Sequence, residues 1–453
     1  MIGIVISILV IAMIAYMVYK KYKTQTVILF GGIILLTASF LLGYPIITAK
    51  ETTGFAGFDI FKLIEIITST RVAGLGLMIM AVAGFVQYMD LIGASKAFVY
   101  ISVKPLKIIQ SPYVMLGFAY VVGQLLKMAI TSAAGLGVLL MATMYPLLLE
   151  LGVSRKSAAA IIVCASCIDL GPAASSSNLM AKTAGLDVVD YFVHYQLIVA
   201  IPVIAIIAAL HCVMQQHFDK KDKVTQECEE IKASTLKTDK MPPKIFAILP
   251  ILPLVLVFVF SKVAGSSITM SLVSAMFFSL FIAMIFEFIR SRNIKEVFAG
   301  LQTFFDGMGR AFATVVSLIV AGETFAAGLN SIGVVNTILE TSKIAGFGEG
   351  AMTVLLQSVI AGTAVLTGSG EAAMFSFVGL APAMATYYGS NPVEMLVPMQ
   401  FTATLARSVS PISAVMIAVA GIANVSPFDV AKRTIIPIGA GVIVTTVVSL
   451  IIL

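Results

Sequence analysis

The sequence contains uninterrupted apolar runs that are long enough to cross a lipid bilayer. Residues 26–43 and 245–262 are clear examples, and a membrane-spanning helix needs about 20 apolar residues. Hydrophobic residues make up 59% of the chain and charged residues 11%, whereas soluble domains have about 45–50% and about 25%. A soluble domain is therefore excluded, and so is an outer-membrane barrel, which has short alternating segments. We predict an all-α polytopic membrane protein.

Hydropathy divides the chain into spans and two re-entrant hairpins. The predicted spans are 2–19, 26–43, 70–89, 156–182, 192–213, 245–262, 267–289, 309–329, 393–423 and 434–453. Two further apolar stretches, 112–150 and 350–387, are interrupted by Gly, Ser and Thr and predict the hairpins. The amphipathic segments 54–68 and 293–307 are expected to lie along the membrane interface. Basic residues follow the first run rather than precede it, which predicts a retained span instead of a signal peptide.

An internal repeat organises the chain into two halves. Thr131 precedes Pro146 by 15 residues, and Thr367 precedes Pro382 by the same interval (146 − 131 and 382 − 367). Each half has three spans, a hairpin and two more spans, and the first of those two is broken by Gly, Pro and Ser. Five spans is an odd number, so the second copy is expected to be inverted relative to the first.

The basic residues predict the orientation in the membrane. The formal charge of +6 lies in short loops, where it reports topology and not nucleic-acid binding. When the N-terminus is placed outside, every compact basic cluster falls on the inner side. We therefore expect N- and C-termini on the outer side of the membrane, which is the periplasm in a bacterial inner membrane, and a cytoplasmic linker at 214–244.

Four breaks in the predicted helices point to a ligand site. They lie at 131–135, 171–178, 367–371 and 407–413. Non-helical backbone at membrane depth is tolerated where it lines a cavity, and several helix N-termini directed at one cavity suit a small anion. The candidate substrate ligands at these breaks, besides one arginine, are Thr131, Ser132, Ser175, Ser176, Ser177, Asn178, Thr367, Gly368, Ser369, Ser408 and Ser410.

Arg407 supplies a fixed positive charge at the last break. A guanidinium can bind a carboxylate through two parallel hydrogen bonds, although a structural ion pair or a position near a helix end are the alternatives. Asp169 and Glu371 are candidates for proton or cation coupling, because a buried carboxyl group without a cationic partner can exchange a proton near neutral pH. For Asp169, a pair with Lys127 is an equal alternative. Glu323 is expected to be structural.

Cysteine and histidine usage argues against a metal site, a cofactor and catalysis. The four cysteines and three histidines are scattered, and the Cys164–Cys167 pair lies in an apolar run where packing is expected. No histidine pairs with a serine of a hairpin tip, which disfavours an intramembrane enzyme. A channel would not need two inverted hairpins. A carrier is the prediction that remains.

Several segments resemble one family, the DcuC/DcuD anaerobic C4-dicarboxylate carriers. The matching segments are 131–143, 304–309, 367–370, 405–412 and 426–434. The resemblance covers nearly the whole chain. It implies a carrier of succinate, fumarate, malate or aspartate in the bacterial inner membrane, used for exchange or succinate export and coupled to protons rather than Na⁺.

The resemblance also implies a homodimer with a static scaffold and a moving, elevator-type transport domain. On that pattern the scaffold comprises 1–111 and 245–349, the transport domain comprises 112–213 and 350–453, and the linker is 214–244. In the family, the position of Glu371 is usually an amide and that of Lys127 is usually uncharged. An extra acid would repel a dianion unless it is protonated or paired, so an amino-acid or monocarboxylate carrier is the alternative.

Overall fold

The structure is helical throughout the ranges that it covers. The computed structural model describes residues 2–20, 22–47, 51–222, 242–334, 337, 340–341 and 347–453. No β-strand occurs in these ranges, and nine helices within them are long and apolar enough to cross a membrane. The chain is therefore a multi-pass α-helical membrane protein, as predicted.

The α-helices follow one another in a similar order in the two halves. In the first half they are α1 (Ile2–Tyr19), α2 (Thr24–Leu41), α3 (Ala56–Leu91), α4 (Ala94–Val103), α5 (Pro112–Ala129), α6 (Ala133–Glu150), α7 (Arg155–Cys164), α8 (Ser175–Thr183) and α9 (Val188–Lys221). In the second half they are α10 (Leu252–Val259), α11 (Leu272–Ser291), α12 (Ile294–Ser331), α13 (Glu349–Thr367), α14 (Gly370–Phe377), α15 (Ala381–Tyr388), α16 (Pro392–Arg407), α17 (Ala414–Ala423) and α18 (Pro427–Ile452).

The longest helices, α3 and α12, pack against each other in antiparallel fashion. The end of α3 contacts the start of α12, the start of α3 contacts the end of α12, and their middles also touch. Glycines allow this close approach: a Cβ on Gly84 would lie 2.5 Å from the carbonyl oxygen of Phe304, and one on Gly307 would lie 2.8 Å from Cα of Gly84. The two halves of the chain are thus joined along these helices.

Each of these two helices contains a π turn near its middle, at Val72–Gly76 in α3 and at Phe312–Val316 in α12. The turns join the amphipathic segments 54–68 and 293–307 to the spans that follow them. The two amphipathic segments, which are predicted to lie along the interface, are therefore parts of continuous helices. No proline interrupts either junction, and a π turn accommodates an extra residue without ending the helix.

The prediction of a membrane-spanning helix at 245–262 is wrong. The structure has a 3₁₀ turn at Lys244–Ile248 and then α10, which is only 8 residues long. Pro250 and Pro253 lie in this segment. Proline has no N–H to donate and its ring disfavours the helical turn before it, which a hydropathy average does not register.

Two helices joined by a short tip occur at each predicted hairpin, and a helix break occurs in each predicted broken span. The re-entrant path of the hairpins stays a prediction. The first hairpin is α5 and α6 with its tip at 130–132, and the second is α13 and α14 with its tip at 368–369. In the second hairpin a 3₁₀ turn at Val378–Leu380 separates α14 from α15. The broken spans are α7 with α8, interrupted at 165–174, and α16 with α17, interrupted at 408–413.

A buried ion-pair cluster fixes the start of α18 to the end of α9. The guanidinium of Arg433 is 2.5 Å from Asp219 and 2.7 Å from Asp222, and Arg433 is 3% exposed. Helix α9 therefore extends into the predicted linker, as far as Lys221. Residues 223–241 of that linker, with Cys228, lie outside the described residues.

Candidate functional site

A cavity of about 520 Å³ lies between the long helices and the broken elements. This volume is within the range of about 300–1,000 Å³ that is typical of ligand pockets. One wall comes from α3 and α12, and the other from the first hairpin tip, the first break, and single residues of α14 and α16. The charged residues that line it are Asp90, Lys127, Asp169, Arg310, Glu371 and Arg407. The hydroxyl residues that line it are Thr131, Ser132, Ser175 and Thr314.

Lys127 connects the first hairpin tip to the first break. Its Nζ lies 2.8 Å from Oδ1 of Asp169 and donates a hydrogen bond of 2.5 Å to the carbonyl oxygen of Thr131. Both charged side chains are almost fully buried, at 3% and 5% exposure. The alternative that Asp169 pairs with Lys127 is therefore what the structure contains, and the charge of Asp169 is balanced locally.

Arg407 ends helix α16 and is held only loosely. Its Nη2 donates a hydrogen bond of 2.9 Å to the carbonyl oxygen of Ser166 and lies 3.9 Å from Asp169. Its Nε is buried and makes no hydrogen bond, and Nη2 is the only guanidinium nitrogen that bonds to a described residue. An unpaired buried donor is costly, so this guanidinium has hydrogen-bonding capacity left for a ligand.

Glu371 lies in the first turn of α14, at the second hairpin tip. It accepts a hydrogen bond of 2.9 Å from Oγ of Ser175, the first residue of α8. Both residues line the cavity, and Glu371 makes no ion pair with a described residue. The contact joins the second hairpin to the first broken span, across the boundary between the two halves of the chain.

Other predicted ligands at the first break bond within the protein and do not line the cavity. Gln400 donates hydrogen bonds of 3.0 Å to Ser176 and 3.2 Å to Ser177, and Gln196 donates one of 2.9 Å to Ser177. The amide of Asn178 donates to backbone carbonyls within the break itself. The bonds of Gln400, which lies in α16, join the two broken spans.

The predicted Ser, Thr and Gly ligands of the second half do not line the cavity, and their hydroxyl groups bond to backbone atoms. Oγ of Ser369 caps α14 by accepting from the N–H of Ala372, and Thr367 donates to the carbonyl of the preceding turn. Ser408 donates to Thr404, and Ser410 donates a 2.7 Å bond to Val365 of α13. Gly368 ends α13 with φ of +71°, a conformation that favours glycine.

Residues of the long helices complete the cavity and were not among the sequence-predicted ligands. Asp90 and Gln87 come from α3, and Arg310 and Thr314 come from α12. Arg310 lies inside the predicted span 309–329, and an arginine within a span is by itself a signal of function. Gln87 and Thr314 carry no comparable signal in the sequence.

A known family and two of its curated members match this chain along nearly its full length, and a further relative matches part of it. It matches the family described as DcuC, C4-dicarboxylate anaerobic carrier, over residues 2–453. A Vibrio cholerae protein described as a probable anaerobic C4-dicarboxylate transporter DcuC is 36% identical over 455 residues, which cover 100% of this chain and 98% of that protein. The Escherichia coli K12 anaerobic C4-dicarboxylate transporter DcuC is 36% identical over 451 residues, 99% of this chain and 96% of that protein. A putative uncharacterized transporter of Haemophilus influenzae is 25% identical over 276 residues, 58% of this chain and 94% of that protein.

Proposed function

Because the chain belongs to the DcuC family of C4-dicarboxylate anaerobic carriers, as its motifs predicted, we propose that it carries C4-dicarboxylates across the bacterial inner membrane. The family is one of carriers and not of enzymes. The proposed substrates are succinate, fumarate, malate and aspartate, moved by alternating access in exchange or in succinate export. The observation that carries this proposal is the incompletely bonded guanidinium of Arg407 in a cavity of ligand size.

One substrate carboxylate binds to Arg407 in this proposal. Hydroxyl groups of Thr131 and Ser132 line the same cavity and donate to the carboxylate oxygens without adding charge. Ser175 also lines the cavity, and its proton is donated to Glu371. Charge-assisted hydrogen bonds to a guanidinium are about twice as strong as neutral ones. Thr131 and Ser132 belong to the first hairpin tip, so substrate binding is linked to the position of that tip.

The charges of the cavity favour proton coupling through Glu371. Three basic residues and three acidic residues line the cavity, so their charges cancel when all are ionised, and a dianion then adds two uncompensated negative charges. Asp169 is already paired with Lys127, whereas Glu371 accepts its hydrogen bond from the neutral hydroxyl of Ser175. A proton on Glu371 offsets part of the added charge. We therefore propose protons, and not Na⁺, as the coupling ion.

The proposed mechanism is an elevator built from two inverted repeats. The similar order of helices in both halves and the antiparallel packing of α3 with α12 support the inversion. Residues 112–213 and 350–453 form the moving part, and residues 1–111 and 245–349 form the scaffold, through which two copies associate. Both termini are placed in the periplasm and the linker 214–244 in the cytoplasm.

A carrier of amino acids or monocarboxylates is the second candidate. It is favoured by Glu371, because an acid without a basic partner could bind the ammonium group of an amino acid. Competition separates the candidates. If amino acids other than aspartate displace radiolabelled succinate better than fumarate and malate do, the second candidate is correct.

Uptake of radiolabelled succinate into proteoliposomes tests the first proposal. The wild-type protein is expected to show saturable uptake and counterflow, which a channel does not show. Arg407→Gln is expected to lose nearly all uptake, while Lys432→Gln, an exposed charge outside the cavity, retains it. Unchanged uptake by a folded Arg407→Gln protein would show that the substrate binds elsewhere.

A further inference from the structure

Arg310 is an unpaired arginine on the cavity wall formed by α3 and α12, which is called the scaffold wall here; the wall that contains Arg407 is called the transport wall. It lies near the middle of α12, just before the π turn Phe312–Val316, and its side chain is exposed. It lines the same cavity as Arg407. Its guanidinium makes no hydrogen bond or ion pair with a described residue, although Asp90 lines the same space. An arginine inside a membrane span that is neither paired nor bonded needs a compensating partner.

A second arginine near a π turn, in α3, shows what such a partner looks like. Arg71 lies directly before the π turn of α3, and its Nε is 2.6 Å from Oε1 of Glu323 on α12. One arginine of this helix pair is thus neutralised by a carboxylate of the facing helix, whereas Arg310 has no ion pair with a described residue.

We propose that Arg310 binds the second carboxylate of the substrate, so that a dicarboxylate bridges Arg407 on the transport wall and Arg310 on the scaffold wall. This inference rests on the proposed function and deepens it. A monocarboxylate satisfies only one of the two guanidinium groups, which line one cavity from two different helices, α12 and α16. Arg310 is therefore the residue that selects a dianion, and it acts in the state of the carrier that this structure describes.

The test compares a dianion with a monoanion of nearly the same shape. Succinate and its monomethyl ester are offered to wild-type protein and to Arg310→Gln in proteoliposomes, and KM for succinate and the inhibition constant of the ester are measured. Arg310→Gln is expected to raise KM for succinate by about 10- to 100-fold, the equivalent of one charge-assisted hydrogen bond. The inhibition constant of the ester is expected to rise by less than about threefold. Arg310→Lys is expected to recover part of the affinity for succinate.

Controls separate binding from folding. Lys295→Gln removes an exposed positive charge from the same helix, outside the cavity, and is expected to match wild type. Elution as a single species in detergent confirms that each variant is folded. If Arg310→Gln weakens the binding of succinate and of the ester equally, or changes neither, Arg310 does not bind the second carboxylate. Succinate uptake by the wild type would still support the proposed function in that case. Absence of succinate uptake by the wild type would overturn both.

Discussion

Replacing Lys127 with methionine is expected to destabilise the protein strongly, because it leaves Asp169 charged and buried. The two side chains are 3% and 5% exposed, and their charged atoms are 2.8 Å apart. The substitution also removes the hydrogen bond to the carbonyl oxygen of Thr131. The nearest remaining cation is Arg407, at 3.9 Å. It would be drawn toward Asp169, so succinate uptake is expected to fall as well.

The magnitude follows from the separation of the two charges. At 2.8 Å and an effective dielectric constant of about 20, their attraction is about 6 kcal/mol. Desolvation of the charges offsets part of this attraction, and breaking a buried pair from one side costs about 3–5 kcal/mol. The double variant Lys127→Met with Asp169→Asn leaves no unpaired charge, so it is expected to be more stable than Lys127→Met alone.

The assay is a double-mutant cycle on the free energy of unfolding in mixed micelles. We expect the two single substitutions and the double substitution to give a coupling energy of at least about 2 kcal/mol. Lys62→Met serves as the matched control, because Lys62 pairs with Glu65 at the surface, with 36% and 67% exposure. It should change stability by less than about 1 kcal/mol. If the change in the free energy of unfolding of the double variant equals the sum of the two single changes within about 0.5 kcal/mol, the reasoning is refuted.

Two further predictions concern coupling and helix packing. Glu371→Gln should abolish succinate accumulation driven by a pH gradient while counterflow continues. Gradient-driven accumulation at the wild-type level would remove Glu371 from the coupling mechanism. Gly84→Ala places a Cβ 2.5 Å from the carbonyl oxygen of Phe304 and should destabilise the protein by about 1–3 kcal/mol. Gly309→Ala has no atom within 4 Å of the added Cβ and should leave the stability unchanged. Equal thermal midpoints of these two variants in detergent would contradict the close packing of α3 with α12.

The sequence predicted the elements that depend on local chemistry. The hairpin tips and the breaks of the spans occur where Gly, Pro, Ser and Thr interrupt apolar runs, because these residues weaken a helix or terminate it. The segment at 245–262 was mispredicted as continuous because hydropathy averages do not count the hydrogen bonds lost at Pro250 and Pro253. The π turns were missed since no residue type specifies them.

The candidate site was only partly accessible to sequence reasoning. Arg407 and Glu371 could be found because a charge within an apolar segment demands a partner or a role. The serines could not be sorted in the same way. Ser132 and Ser175 line the cavity, whereas Ser410 donates to a backbone carbonyl. Tertiary contacts decide whether a given serine faces the cavity, and the sequence does not show those contacts. Whether the predicted set binds substrate stays a prediction until it is tested.

Substrate protection of a cysteine in the cavity tests the central claim most directly. Ala133 lines the cavity and begins α6, so Ala133→Cys, in a background that lacks the native cysteines, is exposed to a charged thiol reagent there. We expect succinate at saturating concentration to slow the modification of this cysteine at least about tenfold. Glu296→Cys, which is exposed outside the cavity, is the control and should react at the same rate with and without succinate. Unprotected modification of Ala133→Cys in a protein that still transports succinate would show that the substrate does not bind in this cavity.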